Sequence, residues 1–230
     1  MLTSPLRYQA NESFVAEAVG KGMRLEISKP VSSNPENQFK FEVDTTGTRV
    51  QVYERGALKS VFFVGKAGSS FTETYIRAAG STEVYLTNGV LTSTFNRRLE
   101  DWRDKTVFKT EQEGIKSVKF TYGDTTFTLA LKDSSWRIGN DSTVESTVKS
   151  FLSTLANVQT DEFVDSALAE VPKLTAAIEV NGIQLRFYAT KDATKYFVQS
   201  SDSPQWYVLQ QWRVTQLLKR KKEFLPAAKA

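Results

Sequence analysis

Neither cysteine nor histidine occurs among the 230 residues. Disulfides, thiolate nucleophiles, Cys/His zinc sites, haem ligation by either residue and every His-based triad or dyad are therefore excluded. No cofactor is expected. A chain of this length needs no covalent staple, so the missing cysteines fit an oxidising or a reducing compartment equally. No run approaches the roughly 18 consecutive apolar residues of a membrane-crossing helix, and no signal peptide is visible. An excess of one charge is lacking too: 30 basic residues interleave with 26 acidic ones for a net charge of +4. That is a mixed surface, and nucleic acid is not expected as a partner.

What is present is a folding composition, 40% hydrophobic and 12% aromatic, at a length suited to two units of about 110 residues each. Alternating apolar positions read as half-buried antiparallel strands at Phe39, Phe41, Val43, at Val118, Phe120, Tyr122, and at Phe127, Leu129, Leu131. Asp44-Thr45-Thr46-Gly47, Tyr122-Gly123-Asp124 and Asn181-Gly182 read as turns, the last as a type I′ hairpin. Ser142-Thr143-Val144-Glu145 has capping-box form. The helix it announces carries Val144, Val148, Phe151, Leu152, Leu155 and Val158 on one face, whose burial contributes about 9–18 kcal/mol as an upper bound. Further helices are expected after Asn88-Gly89, with Leu91, Phe95, Leu99 and Trp102 on one face, and over residues 211–222, with a frayed tail after Pro226.

The chain resembles itself. Phe41-Glu42-Val43, Gly47 and residues 49–53 lie over Ile178-Glu179-Val180, Gly182 and residues 184–188. Outward from there Asn34-Pro35 lies over Val171-Pro172, residues 74–76 over 195–197, and residues 83–86 over 205–208, each series ending in a helical stretch. The expected architecture is α+β, with two tandem copies of a β-rich unit over residues 1–107 and 108–230, each made mainly of antiparallel sheet with one or two packed helices.

The run Val61-Phe62-Phe63-Val64-Gly65-Lys66, then Thr74-Tyr75-Ile76-Arg77, Glu83-Val84-Tyr85-Leu86 and Leu99-Glu100-Asp101-Trp102-Arg103-Asp104-Lys105, resembles the bacterial domain-of-unknown-function family numbered 4340. Trp136-Arg137-Ile138, the capped helix and Phe163-Val164 continue the likeness, which spans about Val31 to Leu225. The resemblance implies an extracytoplasmic domain tethered by an N-terminal membrane helix. It also implies a gene often placed near ABC-transporter or gliding-type components, and no established catalytic activity.

Catalytic patterns are thin. Ser146-Thr147-Val148-Lys149 spells Ser-x-x-Lys but lacks the partner motifs of that chemistry, and Val148 belongs to the apolar stripe. Residues 65–70 hold glycines, a lysine and hydroxyls in the wrong order for a phosphate loop. The densest aromatic and charged positions make up a candidate binding surface: Arg97, Arg98, Trp102, Arg103, Trp206, Trp212, Lys219, Arg220, Lys221 and Lys222. The run at 219–222 reads as a solvated helix end, with an anionic-lipid or nucleic-acid patch as the rival reading. Glu100, Asp101, Arg103 and Asp104 around Trp102 read as helix-surface ion pairs.

The expectation is a non-catalytic binding or assembly module, accessory to a cell-envelope or transporter-associated complex, with protein partners in the membrane. The alternative is a carboxylate-based hydrolase acting on envelope glycans, which needs only two placed acids. In the first copy, the counterpart of the capped helix falls near residues 5–20, with Asn11 and Ser13 as caps. No strands precede it, which leads us to expect a longer natural chain reaching upstream to a membrane anchor.

Overall fold

The computed structural model describes residues 1–227 except residues 6, 167, 169, 171, 192 and 193. Two compact units emerge, Met1–Asp104 and Lys105–Ala230. Both are α+β with antiparallel sheets.

The first unit opens with α1 (Glu12–Met23), capped as its sequence suggests: the Asn11 side chain accepts the Phe14 N–H at 3.1 Å. Strand β1 (Ile27–Ser32) follows, then the meander β2 (Thr48–Glu54), β3 (Ala57–Ala67), β4 (Glu73–Ala78) and β5 (Val84–Asn88), and then α2 (Leu91–Phe95) and α3 (Leu99–Trp102). The sheet order is β1-β5-β4-β3-β2. Phe62, Val64, Ile76 and Leu91 form its buried cluster, with Val50, Val52 and Phe95 packed alongside.

The alternation Phe39, Phe41, Val43 does not make a strand. Residues 35–43 form two 3₁₀ turns, with Glu42 left-handed at φ 57° and the N–H of Val43 donating locally to the Gln38 carbonyl. The loop lies flat on β3 because Gly65 has no side chain: a Cβ there would stand 2.1 Å from the Phe41 carbonyl oxygen. Arg77, 9% exposed, clamps the loop by donating from Nε to the Val43 carbonyl at 2.8 Å and from Nη1 to the Ser81 carbonyl at 3.0 Å. Its guanidinium lies 4.5 Å above the Phe63 ring. A buried Val43 is thereby held without any strand partner.

The second unit begins with β6 (Thr106–Lys109), so residues 105–107, read from sequence with the first unit, pair here. Next come β7 (Ser117–Tyr122), β8 (Thr125–Lys132), β9 (Ser135–Ile138), β10 (Asp141–Ser142), α4 (Glu145–Leu155), β11 (Asn157–Gln159) and β12 (Glu162–Phe163). A meander of β13 (Ala176–Val180), β14 (Ile183–Ala189), β15 (Lys195–Ser200) and β16 (Trp206–Gln210) leads into α5 (Gln211–Leu217) and α6 (Lys221–Phe224). The large sheet runs β10-β9-β8-β7-β13-β14-β15-β16-β12, and β11 pairs with β6.

The hairpin at Asn181-Gly182 forms as read, with φ of 51° and 79° and Val180 opposite Ile183. The capping box at Ser142 does not: Ser142 lies in β10, the Thr143 hydroxyl donates to the Trp136 carbonyl at 2.8 Å, and the helix starts at Glu145. The predicted stripe nevertheless faces inward, with Val148, Phe151, Leu152 and Leu155 of α4 buried; Val158, read onto the same helix, is buried in β11 instead, because the helix ends at Leu155.

Counted outward from their meanders, the units share an order. A helix precedes a strand (β1, β12) that pairs with the last meander strand (β5, β16), and two short helices follow. Each expected single helix there is broken, at 96–98 and at 218–220, where the backbone leaves helical geometry at Asn96 (ψ 47°) and Leu218 (ψ 61°). The turns equivalent to one another are Arg55-Gly56 and Asn181-Gly182, both with positive φ. In this register β2 stands with β13 and β3 with β14, whereas the sequence comparison set residues 49–53 beside β14. The Val171 matched there to Asn34 lies outside the described residues.

Candidate functional site

The ten residues singled out from sequence divide between the units: four in the first, six in the second. Several are occupied in holding the fold, whereas Lys222 is exposed. The Nη2 of Arg97 meets the Glu17 carboxylate at 2.9 Å while its guanidinium stacks 3.9 Å from Phe14 and 6.0 Å from Trp102. Lys21 and Thr94 reach the other Glu17 oxygen at 2.7 and 3.0 Å. This knot fastens α1 to α2, and the Lys21 and Thr94 donors hold the Glu17 carboxyl below its ordinary value. Arg103, 2% exposed, stacks 3.9 Å from Tyr8. Arg98 is exposed and pairs with Glu100 at 2.7 Å and Asp101 at 3.1 Å, whereas Arg103, read as a member of the surface pairing around Trp102, is the buried one.

In the second unit Trp206 is half-buried against Tyr188 and Phe197, at 5.1 and 6.4 Å between ring centroids. Trp212 is 56% exposed with the Arg213 guanidinium 4.6 Å over its ring; Arg213 also pairs with Asp161 at 2.9 Å. The basic run straddles the break between α5 and α6 and so is not one helix end. Arg220 stacks 3.9 Å from Tyr122, and its N–H donates to the Glu223 carboxylate at 2.6 Å. Lys219 lies 3.7 Å from Glu223, and Lys221 lies 2.9 Å from Asp141. The Tyr122 hydroxyl donates to the Lys219 carbonyl at 2.7 Å, and burial pushes this phenol well above its ordinary value.

Two features escaped the sequence reading. A groove of about 510 Å³ lies between β9 and α4, lined among others by Trp136, Arg137, Glu145 and Lys149. The other is the outer edge of β2, which ends the first sheet; α1 meets this strand where a Cβ at Gly22 would stand 3.5 Å from Val52, and its apolar Phe14, Val15, Ala18 and Val19 are none of them buried. The legible signal for the edge was Val50 and Val52 alternating into Arg55-Gly56, a turn disguised by arginine at its first position.

The carboxyls of Glu17 and Asp44 are held below their ordinary values, Asp44 by the Thr46 hydroxyl. No cluster of three or more acidic side chains suited to a metal occurs among the described residues.

Fold and surfaces together define an α+β protein of two antiparallel-sheet units. The chain belongs to the family described as domain of unknown function DUF4340, whose model matches residues 1–177. No curated protein and no solved structure matches the chain. Among the described residues, no helix is long and apolar enough to cross a membrane.

Proposed function

We propose that the chain is a non-catalytic binding or assembly module, built from two copies of one unit and accessory to a bacterial cell-envelope or transporter-associated complex on its extracytoplasmic side. The observation that carries the reading is strand addition. In the second unit β7 pairs along the outer edge of β13, the first strand of the meander, and extends the sheet through β8, β9 and β10. The equivalent edge of β2 is the end of its sheet. A fold that grows at this edge is suited to joining other polypeptides through backbone ladders. The shared element order supports the duplication, and the envelope setting is what the sequence resemblance implies.

Cross-linking in native membranes followed by affinity capture of the chain tests the reading. It expects defined protein partners. Recovery of none, together with turnover of an envelope glycan, overturns it.

The hydrolase reading has the β9–α4 groove in its favour, since Trp136 offers an aromatic face and Glu145 a carboxylate. Among the described residues lining that groove, however, Glu145 is the one acid, whereas glycoside hydrolysis uses two. That reading requires Glu145→Gln to abolish glycan cleavage without lowering the melting temperature.

A further inference from the structure

The four ends of the two large sheets are not alike. Strand β1 carries Pro30 and two register shifts, and β10 and β12 are two residues long. Proline, bulges and brevity are the devices by which proteins blunt an edge against further pairing. Strand β2 has none at full strength: it runs seven residues, holds no proline, and has one register shift, between Val52 and Tyr53 near its turn.

The second unit shows what such an edge receives. Counting back from the equivalent turns, Val52 stands where Ile178 stands and Val50 where Ala176 stands. Opposite Ile178 on β7 is Phe120, whose ring lies 5.4 Å from that of Phe151 on α4, so the added strand fills the space between sheet and helix. On the outward face Lys119 of β7 lies 3.8 Å from Glu179 of β13. Helix α4 buries Val148, Phe151, Leu152 and Leu155 beneath this arrangement, while its counterpart α1 buries none of its residues and leaves Val19 53% exposed. Val50 and Val52 are likewise only half-buried, and Arg49, Gln51 and Tyr53 face outward exposed.

We propose that the outer edge of β2 and the apolar stripe of α1 together form an acceptor site for one antiparallel β-strand of a partner polypeptide. That strand carries large apolar side chains at alternate positions, one opposite Val52, and an acidic residue on the outward side facing Arg49. The inference rests on the assembly reading and names its site. Backbone hydrogen bonds supply the attachment, and the half-buried faces of Val50 and Val52 with the unburied apolar residues of α1 supply the choice of sequence.

The test uses the whole chain and a labelled synthetic peptide with the sequence of residues 115–122, which holds β7, lengthened by a glutamate. The expected result is saturable binding that slows amide exchange at residues 48–54 and along α1, and leaves residues 27–32 unchanged. Methylating two alternate ladder N–H groups of the peptide removes two hydrogen bonds and weakens binding by about tenfold or more. Val15→Glu, on the partly exposed α1 face, weakens it while the melting temperature holds. Absence of binding, indifference to N-methylation, or protection confined to residues outside 12–23 and 48–54 overturns the site. Protection of 48–54 that rises with protein concentration without peptide assigns the edge to a second copy and overturns the separate partner. A partner captured in membranes that leaves 48–54 unprotected overturns the acceptor site alone and leaves the assembly reading standing.

Discussion

Phe224 is a sharp test of how the second unit is closed. It sits in α6, a helix of four residues, and is 0% exposed. Its ring packs 5.8 Å from Phe120, 5.3 Å from Phe151 and 6.4 Å from Phe127, joining α4 to β7 and β8, and its carbonyl accepts the Val144 N–H at 2.8 Å where α4 begins. Phe224→Ala removes the ring but not the backbone bond, leaving a cavity among rings that already hold one another at fixed angles. The expected cost is about 3–5 kcal/mol, in line with other fully buried phenylalanines. For a unit of this size that lowers the melting temperature by about 10–20 °C. Urea unfolding followed by the fluorescence of Trp136 and Trp206, both in the second unit, measures it. Phe224→Leu keeps most of the volume and is expected to lose less than half as much. If Phe224→Ala costs under about 1 kcal/mol, the segment after Leu217 does not close the core and the packing described here is wrong.

Two predictions concern the first unit. Gly65→Ala sets a methyl 2.1 Å from the Phe41 carbonyl oxygen and 2.7 Å from Val43, so the loop must lift off β3, at a cost of about 1–3 kcal/mol read from Trp102 fluorescence in urea. Glu17, whose folded pKa is depressed below its ordinary 4.5 chiefly by the Lys21 hydrogen bond, adds stability that is present above pH 4.5 and lost as pH falls through the lower folded value. Glu17→Gln is therefore expected to flatten the acid limb of a melting-temperature profile by under about 1 kcal/mol, because the carboxylate is one-third exposed and screened. A variant as acid-sensitive as the parent refutes the Glu17 argument.

Much of the architecture was legible where local and long-range preferences agree. The Asn181-Gly182 turn, the Val118, Phe120, Tyr122 alternation and the α4 stripe each meet a matching environment, so pattern and burial coincide. Asn11 likewise caps α1 within the region matched to α4. The failures have physical causes. Phe39, Phe41 and Val43 alternate like a strand, yet a strand there would need a neighbour to take its N–H groups, and the Arg77 clamp and Gly65 offer a turn instead. Ser142-Thr143-Val144-Glu145 reads as a capping box, but Ser142 pairs in β10 and the Thr143 hydroxyl finds the Trp136 carbonyl across a hairpin, a contact seven residues away that no capping pattern encodes.

The candidate surface was less legible for a related reason: charge that is consecutive in sequence is not contiguous in space. Lys219, Arg220 and Lys221 follow one another, yet they are held separately by Glu223, by the Tyr122 ring and by Asp141. Arg97 and Arg98 are neighbours too, but one is drawn against Phe14 and Glu17 while the other pairs outward with Glu100 and Asp101. A cation already matched to an acid attracts phosphate weakly, because binding must first break that pairing. The strand edge shows the opposite case. Residues 48–54 display little chemistry as side chains, and their capacity to bind lies in backbone groups that any sequence possesses. What marks the edge is position, the first strand of a meander whose counterpart in the same chain already carries an added strand. Such a site emerges only when two parts of one fold are laid over each other.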